Sequence, residues 1–153
     1  MTKKEIKVVA IIIIIMIITT GILFIKKNKN KNVNTINDKN ITSNQEFVSV
    51  QEDGTKINKS NNLAQTKTID GLEISNVVLI EKDGESYLQA TVKNTTNKIL
   101  GEEFIKLTLI NKSGDTLSEV KGYLGTIPEG GTSTLNIKAN ADFANAYDFK
   151  VSK

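Results

Sequence analysis

Leu72–Lys93 reads LEISNVVLIEKDGESYLQATVK, and this stretch decides the fold. Tyr87 to Lys93 alternates strictly, with Leu88, Ala90 and Val92 on one face and Tyr87, Gln89, Thr91 and Lys93 on the other. A period of two is the signature of a strand buried on one side. Upstream, Leu72 and Ile74 alternate, then the phase shifts through Ser75-Asn76 into Val77-Val78-Leu79-Ile80. One extra residue in a strand has that effect, so a β-bulge is expected there. Between the two runs lies Lys82-Asp83-Gly84-Glu85. Asp-Gly flanked by alternating segments is the strongest short hairpin signal, because both central residues of the tight turn need positive φ.

The same texture continues downstream. Phe104 to Asn111 places Ile105, Leu107 and Leu109 on one face, Lys106 and Thr108 on the other. Lys112-Ser113-Gly114-Asp115 is a turn, and Thr116 to Gly122 returns as a less regular strand. Pro128-Glu129-Gly130-Gly131 turns into Ser133–Ala139, which buries Leu135 and Ile137. Asp142-Phe143-Ala144-Asn145 is expected to form one helical turn before a last strand burying Tyr147, Phe149 and Val151. Six or seven short strands, punctuated by Gly, Asp and Pro, predict a small antiparallel immunoglobulin-like β-sandwich over 68–153. With no Cys and no Trp, its core rests on Leu, Ile, Val and Phe.

The N-terminal third is built differently. Residues 8–25 read VVAIIIIIMIITTGILFI, with no charge. As a helix this segment spans roughly 27 Å, close to the hydrocarbon thickness of a bilayer. It runs directly into Lys26-Lys27, and Ile22 to Ile25 occupy the place where a cleavable signal needs small residues. An uncleaved transmembrane α-helix from Val8 to Ile25 is therefore expected, behind a short basic tail of residues 1–7. Lys3, Lys4 and Lys7 on one flank face Lys26, Lys27, Lys29 and Lys31 on the other, so flanking charge does not set the orientation. Residues 26–67 hold ten Asn and few large apolar side chains, which predicts a disordered linker. Phe47-Val48-Ser49-Val50 is its one apolar island, an isolated patch or a short strand docked on the domain.

Composition narrows the chemistry. The chain has no Cys, no His and no Arg; all its basic residues are Lys. That excludes thiol catalysis, a Ser–His–Asp triad and Cys/His metal sites. It also removes the guanidinium fork that reads phosphate and guanine. Net charge is +3, but residues 1–67 hold 11 Lys against 5 acids, and 68–153 hold 9 Lys against 12 acids. The basic character thus belongs to the anchor flanks and linker, which suits a membrane surface and not a nucleic acid.

Few side-chain groupings suggest a site. Glu81, Asp83 and Glu85 flank the hairpin turn and could meet a hard cation, although alternation scatters them. Glu102 and Glu103 are adjacent, so on a strand they point to opposite faces and make a poor acid pair. Tyr87 and Tyr123 could form an aromatic contact patch. The Asn-X-Ser/Thr matches at Asn40, Asn58, Asn94 and Asn111 are expected by chance in so Asn-rich a chain. No catalytic, cofactor or metal residue is assigned, and the chain is not expected to be an enzyme.

The order of an opening strand, a Lys-Asp-Gly hairpin, Thr91-Val92-Lys93-Asn94, an alternating strand and a Pro-Glu-Gly-Gly turn resembles the FxLYD-type domains of prokaryotic cell-envelope proteins. The motif itself falls on Leu107-Thr108-Leu109-Ile110-Asn111, which keeps the central Leu and has Asn for Asp. It departs at the Phe and Tyr positions. The resemblance implies an immunoglobulin-like sandwich, exported and tethered by an N-terminal helix or lipid, with no catalytic residues. It is the ground for placing the domain on the extracytoplasmic side. The expected role is thus a non-catalytic, membrane-anchored module that meets an envelope protein or wall polymer. The alternative is an accessory subunit whose helix packs on the helices of a membrane complex.

Overall fold

The computed structural model describes residues 47–153. The expected tail, transmembrane helix and linker head, residues 1–46, lie outside the described residues. Within them nine strands run in chain order: β1 (Val48–Val50), β2 (Lys56–Asn58), β3 (Lys67–Ile69), β4 (Leu72–Lys82), β5 (Glu85–Asn94), β6 (Glu103–Ile110), β7 (Thr116–Leu124), β8 (Thr132–Ala139) and β9 (Asp148–Ser152). All pairings are antiparallel. One sheet has the order β1-β2-β4-β5-β8, with β3 also on β4; the other has the order β7-β6-β9. Leu72, Ile74, Val77, Leu79, Leu88, Ala90, Val92, Leu135 and Ile137 from the first sheet share one core with Ile105, Leu107, Leu109, Val120, Leu124 and Phe149 from the second.

The expected bulge is present. The β4–β5 register shifts between Ser75 and Val78, and Asn76 takes φ 51°. The slip keeps Leu72, Ile74, Val77 and Leu79 all facing the core. Asp83 and Gly84 take φ 55° and 80°, which is the tight turn expected of Asp-Gly. Asp70-Gly71, with φ 44° and 79°, makes a second such hairpin between β3 and β4. The segment around Phe143 forms a turn closed by a bond from Ala146 N–H to the Phe143 carbonyl, and no helix.

The linker expectation fails over 47–67, which is built into the first sheet. β2 and β3 occupy the outer side of β4 in succession, β2 at Ile80 and Glu81, β3 from Leu72 to Ile74. Between them Leu63 enters the core at 2% exposure. The polar residues of this segment hold it there. The Asn58 side-chain amide donates to the carbonyls of Ala144 and Ala146 at 2.7 and 2.6 Å. The Ser60 hydroxyl donates to the Tyr147 carbonyl. The Lys56 ammonium pairs with Glu81 at 3.1 Å and with Asp142. The Phe47 ring packs on Tyr147 with centroids 5.5 Å apart. Composition read these polar residues as favouring disorder, whereas they satisfy the carbonyls of the 142–147 loop.

Asn94, at the end of β5, is wholly buried. Its side-chain N–H groups reach the carbonyls of Lys98 at 2.7 Å, Pro128 at 3.1 Å and Ile127 at 3.2 Å. Its side-chain oxygen accepts from the Thr96 amide at 2.9 Å and hydroxyl at 2.7 Å. This side chain is spent on structure and is not open to glycosylation in the folded state.

Two outcomes follow for stability. Urea unfolding should give residues 47–153 a cooperative transition, and residues 68–153 a clearly lower midpoint, since Leu63 and two strands are gone; equal midpoints would refute the extended domain. Asn94→Ala should cost about 2–4 kcal/mol, because buried carbonyls lose their donor. A change within about 0.5 kcal/mol, the range of ordinary surface substitutions, would show that the network is dispensable.

Candidate binding face

The small sheet turns its polar side outward. Along β6, Phe104, Lys106 and Thr108 point away from the core; along β7, Glu119, Lys121 and Tyr123 do so. The β6–β7 register sets Phe104 directly opposite Tyr123. Their rings meet edge to face with centroids 5.4 Å apart, an arrangement that the ring quadrupoles favour. The pair is nevertheless open to solvent, Phe104 at 65% and Tyr123 at 49% exposure. Beside it Lys106 pairs with Glu119 at 3.2 Å, and Lys153 with Glu103 at 3.0 Å. Lys121 makes no ion pair among the described residues. Phe104, Lys106, Glu119, Lys121 and Lys153 border a shallow concavity of about 420 Å³. An exposed aromatic centre inside a charged rim is the usual anatomy of a protein contact surface.

The residues singled out from the sequence go elsewhere. Glu81 turns to the core side, where it accepts the Gly84 N–H at 2.7 Å and pairs with Lys56. Glu85 lies on the opposite face, where it accepts the Tyr87 hydroxyl at 2.6 Å and pairs with Lys138 at 2.8 Å. The hairpin carboxylates therefore do not converge. Glu103 binds Lys153, while Glu102 lies beside Tyr123 and raises its phenol. Tyr87 and Tyr123 sit on different sheets, so the expected Tyr–Tyr patch does not form. Tyr123 partners Phe104 instead. Alternation already sends Phe104 outward, but its match to Tyr123 depends on hairpin register across the irregular Asn111–Asp115 turn.

The strong pKa shifts are local. Asp53 is lowered to about 2, chiefly by its bond to the Lys82 ammonium and then by Thr55. The Lys138 ammonium is raised, first by Glu85. Tyr123 is raised by the Glu102 carboxylate beside it, which favours the neutral phenol and opposes the phenolate charge.

No family model matches the chain, and no curated protein does. Two solved structures resemble it. IrmA from Escherichia coli is 16% identical, with a TM-score of 0.43, over 52% of this chain and 69% of that one. A DUF1425 family member from Shewanella sp. pv-4 is 12% identical, with a TM-score of 0.38, over 69% of this chain and 92% of that one. At these identities neither speaks to function.

The Tyr123 shift gives a direct readout. A phenol raised on folding favours the folded state at pH below its unfolded value of about 10, and that contribution is lost as pH rises through the folded value. Spectrophotometric titration should show two tyrosines, Tyr87 and Tyr123, ionising late, and Glu102→Gln should bring only the Tyr123 midpoint down. An unchanged midpoint would sever Tyr123 from Glu102.

Proposed function

We propose that the chain is a non-catalytic, single-pass membrane protein of the cell envelope that presents its β-domain as a binding module. The observation that carries this reading is the exposed Phe104–Tyr123 pair on the outward face of the small sheet. Beyond the cross-strand stabilisation that the pair itself gives, two large rings held together in the open form an apolar spot that a partner can cover. The uncharged run of residues 8–25 supports the anchor. The side chains capable of acid–base chemistry support a non-catalytic role, since the notable carboxylates are engaged by lysines, a tyrosine or backbone amides. The strand order supports an immunoglobulin-like assignment: β4-β5-β8 facing β7-β6-β9 matches strands A-B-E over C′-C-C-terminal partner. The first described strand begins at Val48, so residues 26–47 are the most that can act as a tether from the anchor, with a reach of roughly 70–80 Å at full extension.

Protease shaving of intact cells tests the topology. The domain should be released without lysis; full protection until lysis would place it inside and remove wall-side partners.

A further inference from the structure

The small sheet leaves one long strand edge open. β7 pairs with β6 on one side, and among the described residues its other side has no ladder partner. The nearest strand there is β8. The two come together at Gly122, where a Cβ would lie 2.4 Å from Leu135 Cδ1 and 2.8 Å from Ile137 Cγ1. From Lys121 back to Ser118 they are separated by a cavity of about 360 Å³. Val120, Ile137, Ala139 and Phe143 form its apolar part, with Lys121 and Lys138 at the rim. The groove is open to solvent, and its apolar floor of Val120, Ile137 and Phe143 has room for an aliphatic side chain. On the other side of the same strand lies the concavity beside Phe104. Glu119 and Lys121 line both.

We propose that the open edge of β7, from Thr116 to Lys121, takes an extended polypeptide segment of a partner protein by strand addition. The proposal rests on the binding-module reading and names the site and the partner chemistry. An open edge offers alternating N–H and carbonyl groups, and an extended backbone is the ligand that matches that repeat. Alternate side chains of an added strand would point to the two sides of the sheet. Those on the inner side enter the cavity over Val120, Ile137 and Phe143, so they are aliphatic. Those on the outer side lie beside Lys121, whose charge is unpaired among the described residues, so an acid is favoured there. Gly122 sets the limit of the site, because beyond it Leu135 and Ile137 close over the strand.

The full chain in phospholipid nanodiscs can be titrated with a labelled octapeptide that alternates Val and Glu. Two further peptides carry N-methyl groups on every second amide, one on the Val amides and one on the Glu amides. Expected are saturable binding and slowed hydrogen exchange between Leu117 and Lys121. One methylated peptide should bind like the parent and the other at least about tenfold more weakly, since only one set of amides faces β7. Lys121→Glu, a solvent-facing change, should weaken the parent peptide about fivefold or more by reversing the charge opposite its acids. The proposal is overturned if binding is absent, if both methylated peptides bind alike, or if protection falls on β1 or β9. It is also overturned if β7 protection grows with protein concentration alone, which would identify a second copy as the occupant. If the peptides fail while an anionic wall polymer binds the same protein and Phe104→Ala releases it, the binding module survives and the strand-addition site does not.

Discussion

The two chain crossings between the sheets meet at a single buried amide, that of Asn94. A sandwich of this order must carry its chain from one sheet to the other, and each crossing drags backbone carbonyls through the protein interior. Asn94 stands where β5 ends and the first crossing begins. Its N–H groups serve Lys98 in that crossing, and Ile127 and Pro128 in the later one from β7 to β8. Its backbone N–H donates to Gly131 in the same later turn. Two crossings far apart in sequence are thus locked to one residue. Buried polar groups of this kind are costly when half satisfied and rigidifying when complete. Here the side-chain oxygen is used as well, by Thr96.

Polar residues do comparable work at the other end of the domain, and there the sequence was hardest to read. Asn58, Ser60 and Lys56 sit in a stretch whose composition is that of a solvated tether. Composition counts polar side chains without knowing whether a carbonyl waits for them. What waits is the 142–147 loop, more than eighty residues downstream. No local pattern can announce such a pairing. Strands of three residues, as in β1, β2 and β3, are likewise too short to show a period. Asp70-Gly71 carried the same hairpin signal as Asp83-Gly84 and could have drawn the boundary upstream. The long strands were legible because a period of two over eight or more residues has few rival explanations. The bulge at Ser75-Asn76 was legible for the same reason, as a phase shift within such a run.

The outward face shows a similar division. That Phe104 points to solvent follows from alternation with Ile105, Leu107 and Leu109. That it meets Tyr123 follows only from the register of β6 and β7, which slips at Leu109/Ile110. Electrostatics is local throughout. Lysines and carboxylates are consumed mostly in neighbouring pairs such as Lys106–Glu119 and Lys138–Glu85. Such exposed pairs add little stability each. They do keep the surface soluble and leave Lys121 as an unneutralised charge beside the open strand.

The long-range tie between Asn58 and the 144–146 carbonyls also bears on when the domain can take shape. Its bonds span 86 and 88 residues. Loops of that size close slowly, and folds dominated by such contacts are slow to form. β2 can pair with β4 early, but Asn58 and Ser60 find their carbonyls only once residues near Tyr147 have been synthesised. For a domain carried across a membrane as an unfolded thread, as its proposed location requires, late closure keeps the chain threadable until its last strands emerge.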